Sequence, residues 1–443
     1  MQDETLKQLL EIMSKHPEWK YHINKNEWQT DFLRFYQSQT NYNISKISTT
    51  LEVAIYQEKK TYGFSIDQPT PERINKAIES AEAIINTLPE DPDFVDVETD
   101  LSMQPSKEKV NNILAISLEK KINILKEISS AAEVHDFRIF GTFICNYQHT
   151  RILNSNGLDK QQGNSPIYFE VKAVHNDTQV TVLQTFGGEN LDSFVLGDFI
   201  SQLNQKMLFA LNERIDAEPG EYEVILAPRC IAEFMQYLSG GMSARSYDQK
   251  SSYFQDKLNQ KIFPDSVTIN DDPSDKDIIS FDYNNDGHIY QPLSLIDKGV
   301  FKNFMSSNYY SHKTGLPNNG NNGSCLILQP GHETLDSMIG SIKKGLYISS
   351  LHYMNFINEK ETSVTGLTRD GTFLIEDGKI TKVVNNLRFT EKIARIFENI
   401  ISLESKSYTI PFSENYDTFS ISCVKAPHVL VKNFNITSST KTI

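Results

Sequence analysis

The sequence predicts an α+β fold in two parts. The first is an N-terminal α+β domain over residues 1–215, with long helices on antiparallel strands. The second is a C-terminal β-rich domain over residues 216–443, with few helices. Three observations support this: apolar and polar residues alternate over residues 30–65, segments of helical period follow them, and short strand-like segments dominate after the linker-like "DAEPGEYEVILAP". A chain of 443 residues is also long enough for more than one core.

The N-terminal half is predicted to begin with a short amphipathic helix, "TLKQLLEIM", whose apolar residues form one stripe. Antiparallel strands follow, and "KKTYGF" supplies the turn and return of a hairpin. The clearest helix of the chain is "TPERINKAIESAEAIINTL". We expect it to begin at Thr70 and Pro71, because threonine caps helices and proline suits the first helical position.

The rest of the N-terminal half repeats this alternation of strands and helices. A second helix is predicted over about residues 108–131. Its inward-facing residues are Leu118, Ile122, Leu125 and Ile128. Strands return over residues 136–190, where "NSNG" at 154–157 has the composition of a turn. A long helix near residues 192–212 closes this half.

Short strands are predicted to dominate the C-terminal half, among them "DSVTIND", "CLILQPG" and "GLYISSLHYM". One clear helix interrupts them, and it begins at Thr334. Its inward-facing residues are Leu335, Met338, Ile339 and Ile342. We expect Gly345 to cap the end of this helix, because glycine adopts the left-handed conformation without strain.

The composition argues against several classes of function. A net charge of −14 repels phosphate backbones, so we expect no nucleic-acid partner. No apolar run reaches the roughly 18 residues that a membrane span needs, and "MQDETLKQLL" lacks the apolar core of a signal peptide. The four cysteines are far apart and form no CxxC pair, which excludes a local zinc ribbon. We therefore expect a soluble cytoplasmic protein with no membrane partner.

The stretch "DYNNDG" resembles the opening of a calcium-binding EF-hand loop. Asp282, Asn284 and Asp286 occupy the first, third and fifth positions, and Gly287 the sixth. The twelfth position, where a bidentate glutamate belongs, is Leu293, and the flanking segments have strand patterns. The sequence therefore predicts a β-hairpin turn here rather than a calcium site.

A second stretch, "GHETLD", resembles half of a zinc-protease motif. The histidine required four residues after His332 is replaced by Asp336, so we expect His332 to be an exposed loop residue. The ten histidines are scattered, with no pair at helical spacing, although ligands from distant strands stay open. No nucleophile elbow, phosphate-binding loop or dinucleotide-binding fingerprint is present.

Several segments, taken in order, resemble the TldD/PmbA proteins, also known as TldD/TldE peptidases and, in an older name, modulators of DNA gyrase. They are "RILNSNG", "SSYFQDKLNQKIFPDSVTINDDP", "SFDYNNDGHIYQPLSLIDKGVFKNFM", "LILQPGHETLDSMIGSIKKGLYISSL" and "GTFLIEDGKITKVVNNLRFTEKI". The first half fits more loosely, through "GFSIDQPTPERINKAIESAEAI". Each segment is weak evidence alone, but the ordered set extends over most of the chain.

The zinc-bearing branch of this family carries a His-Glu-x-x-x-His motif on the helix before a serine-rich loop. Counting back without gaps from "SSYF" at 251–254, the two histidine positions fall on Met235 and Gly240, and the glutamate position on Gln236. A thioether is a poor zinc ligand, an amide is no base and glycine has no side chain. We find no family-type "CGKxGQ" segment that would supply a cysteine ligand.

The apolar face of the same helix indicates a packing role instead. Its members are Ile231, Phe234, Met235 and Leu238. The resemblance therefore places the chain with the PmbA/TldE-like branch, which lacks zinc, and implies no cofactor. It also implies a dimer, either with a zinc-bearing TldD-like paralogue or with a second copy, that degrades or trims peptides in the cytosol.

Two alternative functions stay open at the level of sequence. A stand-alone hydrolase with its own site would draw on Asp282, His288 or Cys325, although no nucleophile–base pair is evident. A non-enzymatic modulator would bind a protein partner, in keeping with the older family name.

Overall fold

The computed structural model describes residues 2–103, 111–189, 191–414 and 419–439. Within these residues the strands form three sheets, and helices pack against them. The predicted α+β fold with a strand-rich C-terminal part is confirmed. None of the described helices is long and apolar enough to cross a membrane.

The first sheet consists of seven antiparallel strands from the N-terminal half. They are β1 (Lys20–Tyr36), β2 (Gln39–Gln57), β3 (Lys60–Asp67), β4 (Phe137–Asn154), β5 (Asp159–Asn164), β6 (Ile167–His175) and β7 (Thr181–Gly188). Their order is β3-β2-β1-β4-β6-β7, and β5 also pairs with β4. The predicted hairpin is confirmed, since β2 and β3 pair from Gln57 and Lys60 outward.

Among the described residues of this half, five segments form α-helices. They are α1 (Gln2–Met13), α2 (Pro71–Ile85), α3 (Asn112–Ala115), α4 (Leu118–Glu133) and α5 (Leu196–Ala210). The Thr70 hydroxyl accepts a hydrogen bond of 3.3 Å from the Arg73 amide, and Pro71 is the first residue of α2. The predicted cap is therefore confirmed, and it satisfies one of the free amides at the helix start.

The second predicted helix differs from the structure. Its residues 108–110 lie outside the described residues, and the remainder is divided into α3 and α4, because the Ser117 hydroxyl caps a new helix at Lys120. Leu118, the first residue of α4, is 45% exposed, so the prediction that it faces inward is wrong. Lys121 takes the buried position one turn later, and its ammonium reaches Asp31 at 2.5 Å.

The helices cover one face of this sheet at its two ends. At one end, α1 and α2 pack on a face that includes Ile23 and Leu51. At the other end, α4 packs on Leu33, Phe35 and Phe143. Side chains alternate along a strand, so Ile23, Leu33 and Phe35 of β1 share one face. The polar residues between Ile23 and Leu33 on that face lie between the two helix layers.

The other two sheets come from the C-terminal half. Their strands are β8 (Arg214–Ile215), β9 (Gly220–Leu226), β10 (Ile269–Asp271), β11 (Leu293–Asp297), β12 (Val300–Phe301), β13 (Leu326–Leu328), β14 (Lys344–Asn358), β15 (Ser363–Glu376), β16 (Lys379–Val384), β17 (Leu387–Lys392), β18 (Ile400–Leu403), β19 (Tyr408–Glu414), β20 (Ser420–Ala426) and β21 (Val429–Ser439). One sheet has the order β12-β11-β10-β13-β20-β19. The other has the order β14-β9-β21-β17-β15-β16-β8, and an additional pairing of β14 with β15 closes a ring of five strands.

In the described part of the C-terminal half, five further α-helices interrupt these strands, more than the sequence predicts. They are α6 (Pro228–Gly240), α7 (Ala244–Asp248), α8 (Asn308–Thr314), α9 (Leu335–Ser341) and α10 (Ile393–Glu398). Thr334 caps α9, as predicted, but Gly345 does not end it. Gly345 lies in β14 beside β9, where an added Cβ would stand 2.4 Å from the Glu223 carbonyl oxygen, so glycine is needed for close strand approach.

The division near residue 216 stays a prediction. Strands up to β7 form one sheet and strands from β8 onward form the other two. One hydrophobic core nevertheless joins both halves, because Phe199 of α5 and Phe373 of β15 belong to the same buried cluster.

Candidate functional site around helix α6

Helix α6 lies at the strand-to-helix junction after β9, where Pro228 is its first residue and Ala227 supplies no side-chain cap. The apolar face predicted from the sequence is confirmed, since its four residues are buried at 2% exposure or less. The Phe234 ring packs edge-on against Phe389, with centroids 6.0 Å apart. Burial of this face holds the helix against the strand ring.

The three positions that the sequence analysis assigns to the family's zinc motif lie on different sides of α6. Met235 is 2% exposed and lies in the hydrophobic core, whereas Gln236 and Gly240 are exposed on the other side of the helix. An added Cβ at Gly240 would meet no atom within 4 Å. In the part of the chain that the structure covers, no three His, Cys, Asp or Glu side chains are grouped to hold a metal ion.

Two charged residues of α6, which the sequence analysis did not single out, lie near other buried polar groups instead. We call this set the polar layer, and its other members are Tyr168, Glu170, Lys172, Lys206 and Asp370. Arg229 and Glu233 are one turn apart, with their closest charged atoms 3.6 Å from each other, and each side chain is about one-fifth exposed. The Arg229 guanidinium also lies over the Phe412 ring, 5.2 Å from its centroid. The signal was present in the sequence, because an arginine and a glutamate four residues apart are the charged residues of an otherwise uncharged helix.

Burial perturbs the acid–base properties of this pair. It raises the pKa of Glu233 from 4.5 to about 7, and the positive charge of Arg229 offsets only part of the effect. Glu233 can therefore exchange a proton near neutral pH. Shifted carboxyl groups of this kind mark candidate functional sites, although ion pairs that serve only structure produce them too.

Strand β6 supplies the opposite side of the polar layer. The Tyr168 hydroxyl donates to the Glu170 carboxylate at 2.6 Å, and burial together with that carboxylate raises the pKa of Tyr168. Further along, the Lys172 ammonium lies 3.0 Å from Asp370, which also accepts a hydrogen bond of 2.8 Å from the Thr181 hydroxyl. These contacts join the N-terminal sheet to β15 through charge-assisted hydrogen bonds.

Helix α5 adds a cation to the same layer. The Lys206 ammonium donates to the Leu183 carbonyl at 2.7 Å and to the Gln184 side chain at 2.8 Å. Burial and the positive charge of Arg229, partly offset by Asp370, together lower the pKa of Lys206 to about 8. The layer thus holds two groups, Lys206 and Glu233, that titrate within about a unit of neutrality.

A second buried cluster lies between β14, β21 and the segment after β18. The His428 ring contacts the Glu404 carboxylate at 2.6 Å through Nδ1 and the Tyr347 hydroxyl at 3.0 Å through Nε2. The Tyr408 hydroxyl donates to the other Glu404 oxygen at 3.1 Å. Burial lowers the pKa of His428, while Glu404 partly offsets this. Both ring nitrogens have partners, so the cluster serves to join three chain segments.

The "DYNNDG" stretch forms the predicted turn. The Asn284 side-chain oxygen accepts hydrogen bonds of 2.9 Å from the amides of Asp286 and His288, and Tyr283 and Ile289 form an antiparallel bridge. Leu293, at the position of the missing calcium ligand, begins β11. The prediction of a hairpin turn is confirmed.

The three alternative candidates, Asp282, His288 and Cys325, do not form a nucleophile–base pair among the described contacts. The His288 ring lies 3.3 Å from the Glu98 carboxylate, and the backbone carbonyl of half-buried Asp282 accepts from the Tyr290 amide at 3.0 Å. The thiol of Cys325 is buried.

Asp271 accounts for the position of Cys325. Its carboxylate accepts from the Cys325 amide at 2.8 Å, and from Asn321 and Gly323 at 3.0 Å, which holds the "NNGNNGS" loop. Burial and this carboxylate raise the pKa of Cys325, which disfavours the thiolate that a nucleophile needs. His332 of the "GHETLD" stretch is exposed, as predicted.

Comparisons with known proteins agree with this architecture. The model of the PmbA/TldA metallopeptidase C-terminal domain matches residues 219–438, and that of the PmbA/TldA central domain matches residues 111–203. A metalloprotease PmbA homolog of Buchnera aphidicola is 25% identical over 210 residues, which cover 46% of this chain and 44% of that protein. A zinc metalloprotease TldD homolog of Saccharolobus solfataricus is 24% identical over 424 residues, which cover 87% of this chain and 93% of that protein.

Solved structures show the same fold. TldE from Thermococcus kodakarensis superposes with a TM-score of 0.86 at 18% identity, covering 98% of this chain and 100% of that one. A candidate modulator of a DNA gyrase from Thermotoga maritima gives a TM-score of 0.84 at 16% identity, with the same coverage. With two family models over separate regions and the fold in agreement, the chain belongs to the PmbA/TldD metallopeptidase family.

Proposed function

We propose that this chain is a PmbA/TldE-like subunit of a TldD/TldE-type metallopeptidase system that processes peptides in the cytosol, and that it has no zinc ligands of its own. Family membership supports the metallopeptidase context. One observation carries the proposal: on α6, Met235 lies in the core, while Gln236 and Gly240 are exposed and offer no zinc ligand or general base.

The partner in this proposal is a zinc-bearing TldD-like paralogue or a second copy of this chain. With the paralogue as partner, catalysis takes place on the zinc-bearing subunit, and this chain helps to hold the peptide. The paralogue would bring the metal, the activated water and the base, and the side chains of α6 would carry out no step of hydrolysis.

The test combines metal analysis with peptide cleavage. The purified chain, incubated with zinc and then dialysed, is expected to retain no stoichiometric zinc and to leave an unfolded peptide library intact. Addition of a TldD-like paralogue from the same genome is expected to produce cleavage above that of the paralogue alone. One tightly bound zinc per chain that remains after dialysis would contradict the proposal.

The same assay separates the alternative of a stand-alone hydrolase. Cleavage by the isolated chain that is lost in both Cys325→Ala and His288→Ala would establish that alternative. The buried Cys325 thiol with its raised pKa argues against it. A pull-down that returns an unrelated protein and no TldD-like paralogue would favour the non-enzymatic modulator instead.

A further inference from the structure

An open cavity of about 300 Å³ lies on the first sheet and is lined by residues of β1, β2 and β4. In the pairing of β1 with β4, Glu27 lies opposite His149 and Gln29 lies opposite Tyr147. Ile47 of β2 lies beside Gln29 on its other side. Directly paired residues point to the same face of a sheet, so these five side chains form one surface, which we call the cavity floor. It belongs to the face that carries the helices, in the gap between α2 and α4.

The lysines and the arginine around the cavity floor are each held by a carboxylate. At one end, the buried Lys25 ammonium lies 3.0 Å from Glu27 Oε1. At the other end, the ammonium of Lys121 on α4 lies 2.5 Å from Asp31. Beside the floor, the guanidinium of Arg151 lies 2.7 Å from a carboxylate of β5. An anionic ligand therefore meets no uncommitted lysine or arginine among these neighbours, and it would be repelled by Glu27.

Hydrogen-bond acceptors remain available on the cavity floor. The second carboxylate oxygen of Glu27, Oε2, lies 3.5 Å from His149 Nδ1, which is longer than a normal hydrogen bond. The side chains of Gln29 and Tyr147 have no hydrogen-bond partner among the described residues. A carboxylate oxygen, an amide oxygen and a phenol oxygen are thus free to accept. Three acceptors match the three N–H groups of a primary ammonium, and an aromatic ring beside them also attracts a cation.

We propose that this cavity binds a primary ammonium group attached to an apolar body. The ammonium donates to Glu27 Oε2 and to the side-chain oxygens of Gln29 and Tyr147. The apolar body lies against Ile47, which is 64% exposed and loses contact with water on binding. The net charge of −14 favours the approach of such a cation. Small alkyl amines share this chemistry with peptide amino termini whose first side chain is apolar.

Three probes, titrated into the full-length chain and followed by NMR of the probe, test the ligand class. We expect leucyl-glycinamide to bind, and its N-acetylated form to bind at least about tenfold more weakly, because acetylation removes the charged donor. Isoamylamine carries the ammonium and the apolar body without a peptide bond. If it binds as tightly as leucyl-glycinamide, the ligand is a simple amine, whereas weaker binding points to peptide amino termini. Equal binding of leucyl-glycinamide and its acetylated form, or no binding of either amine, would overturn the proposal.

Variants of the cavity floor test the site. E27Q removes the charge but keeps the shape, and it is expected to weaken leucyl-glycinamide binding at least about tenfold. Q29K adds an ammonium to the floor and is expected to abolish binding by repulsion. E52Q is the matched control, because Glu52 is exposed on β2 and lies opposite Asn24, on the other face of the sheet.

Unchanged binding in both E27Q and Q29K would contradict the site, and so would an equal loss in E52Q. If E27Q does not fold because Lys25 loses its partner, Q29K decides. No residue of α6 lines the cavity, so amine binding and the zinc assay of the proposed function can fail separately.

Discussion

We expect Glu233→Gln to stabilise the protein at alkaline pH, because the carboxyl group of Glu233 is buried and its charged form is disfavoured. The pKa of Glu233 is raised from 4.5 to about 7, so the folded state holds the proton more tightly than the unfolded chain does. Stability contributed by this group is therefore complete at acid pH and is lost as the pH rises through the folded pKa. Glutamine mimics the protonated side chain and removes this loss.

The magnitude follows from the two pKa values. Each pKa unit corresponds to about 1.4 kcal/mol, so a folded pKa of about 7 against 4.5 costs roughly 3 kcal/mol of unfolding free energy once the pH is well above 7. Between about pH 5 and about pH 8, the stability of Glu233→Gln relative to the unmodified chain should rise by roughly 2 to 3 kcal/mol. The Glu233 side chain is 18% exposed, so solvent screens it only in part.

Urea unfolding at both pH values, followed by circular dichroism, measures this difference. Glu127→Gln is the matched control, since Glu127 is exposed on α4 and should show the same small effect at both pH values. A stability difference between Glu233→Gln and the unmodified chain that does not change with pH would refute the reasoning. The pair with Arg229 would then be strong enough to keep the carboxylate ionised.

Three further outcomes test the packing of the chain. Phe169→Ala should lower the unfolding free energy by about 3–5 kcal/mol, because the Phe169 ring is fully buried among other aromatic rings. Phe356 is 37% exposed, so Phe356→Ala should lower it by less than about 1 kcal/mol in the same urea titration. Gly141→Ala should destabilise by at least about 2 kcal/mol, because its φ is +151° and a Cβ would lie 1.9 Å from the Glu170 carbonyl oxygen. Gly197→Ala on α5, where an added Cβ meets no atom within 4 Å, should be neutral or stabilising by up to about 1 kcal/mol. A larger loss of unfolding free energy in Gly197→Ala than in Gly141→Ala would contradict this account. All four cysteines are buried, so a thiol reagent should label the folded chain only at the rate of its opening, and rapid labelling of any of them in native buffer would contradict the structure.

Local signals predicted the elements that depend on neighbouring residues. Thr70 and Pro71 start α2 because a hydroxyl and a fixed backbone angle act within one helical turn. The turn after Asp282 formed as predicted, because the Asn284 side chain bonds to amides two and four residues away. Such interactions require no knowledge of the rest of the fold.

The family was also evident before the structure, because residue types and their order are contained in the chain, whereas the assignment of Met235, Gln236 and Gly240 to the zinc-motif positions stays a prediction. The structure adds where those residue types lie. It buries Met235 and exposes Gln236 and Gly240 on another side of the same helix. Side-chain burial depends on what packs against each face, and α6 packs on strands more than 100 residues further along the chain.

The sequence by itself determined the α+β class, the main helices and hairpins, and the residue types at the motif positions, because these follow from period, caps and composition. Only the tertiary structure decided that the α6 pair of Arg229 and Glu233 lies in a polar layer with Tyr168 of β6, and that Gly345 permits close strand approach rather than ending a helix. The physical reason is distance along the chain. Burial, pKa shifts and strand pairing arise between residues far apart in sequence, and their partners are known only once the chain is folded.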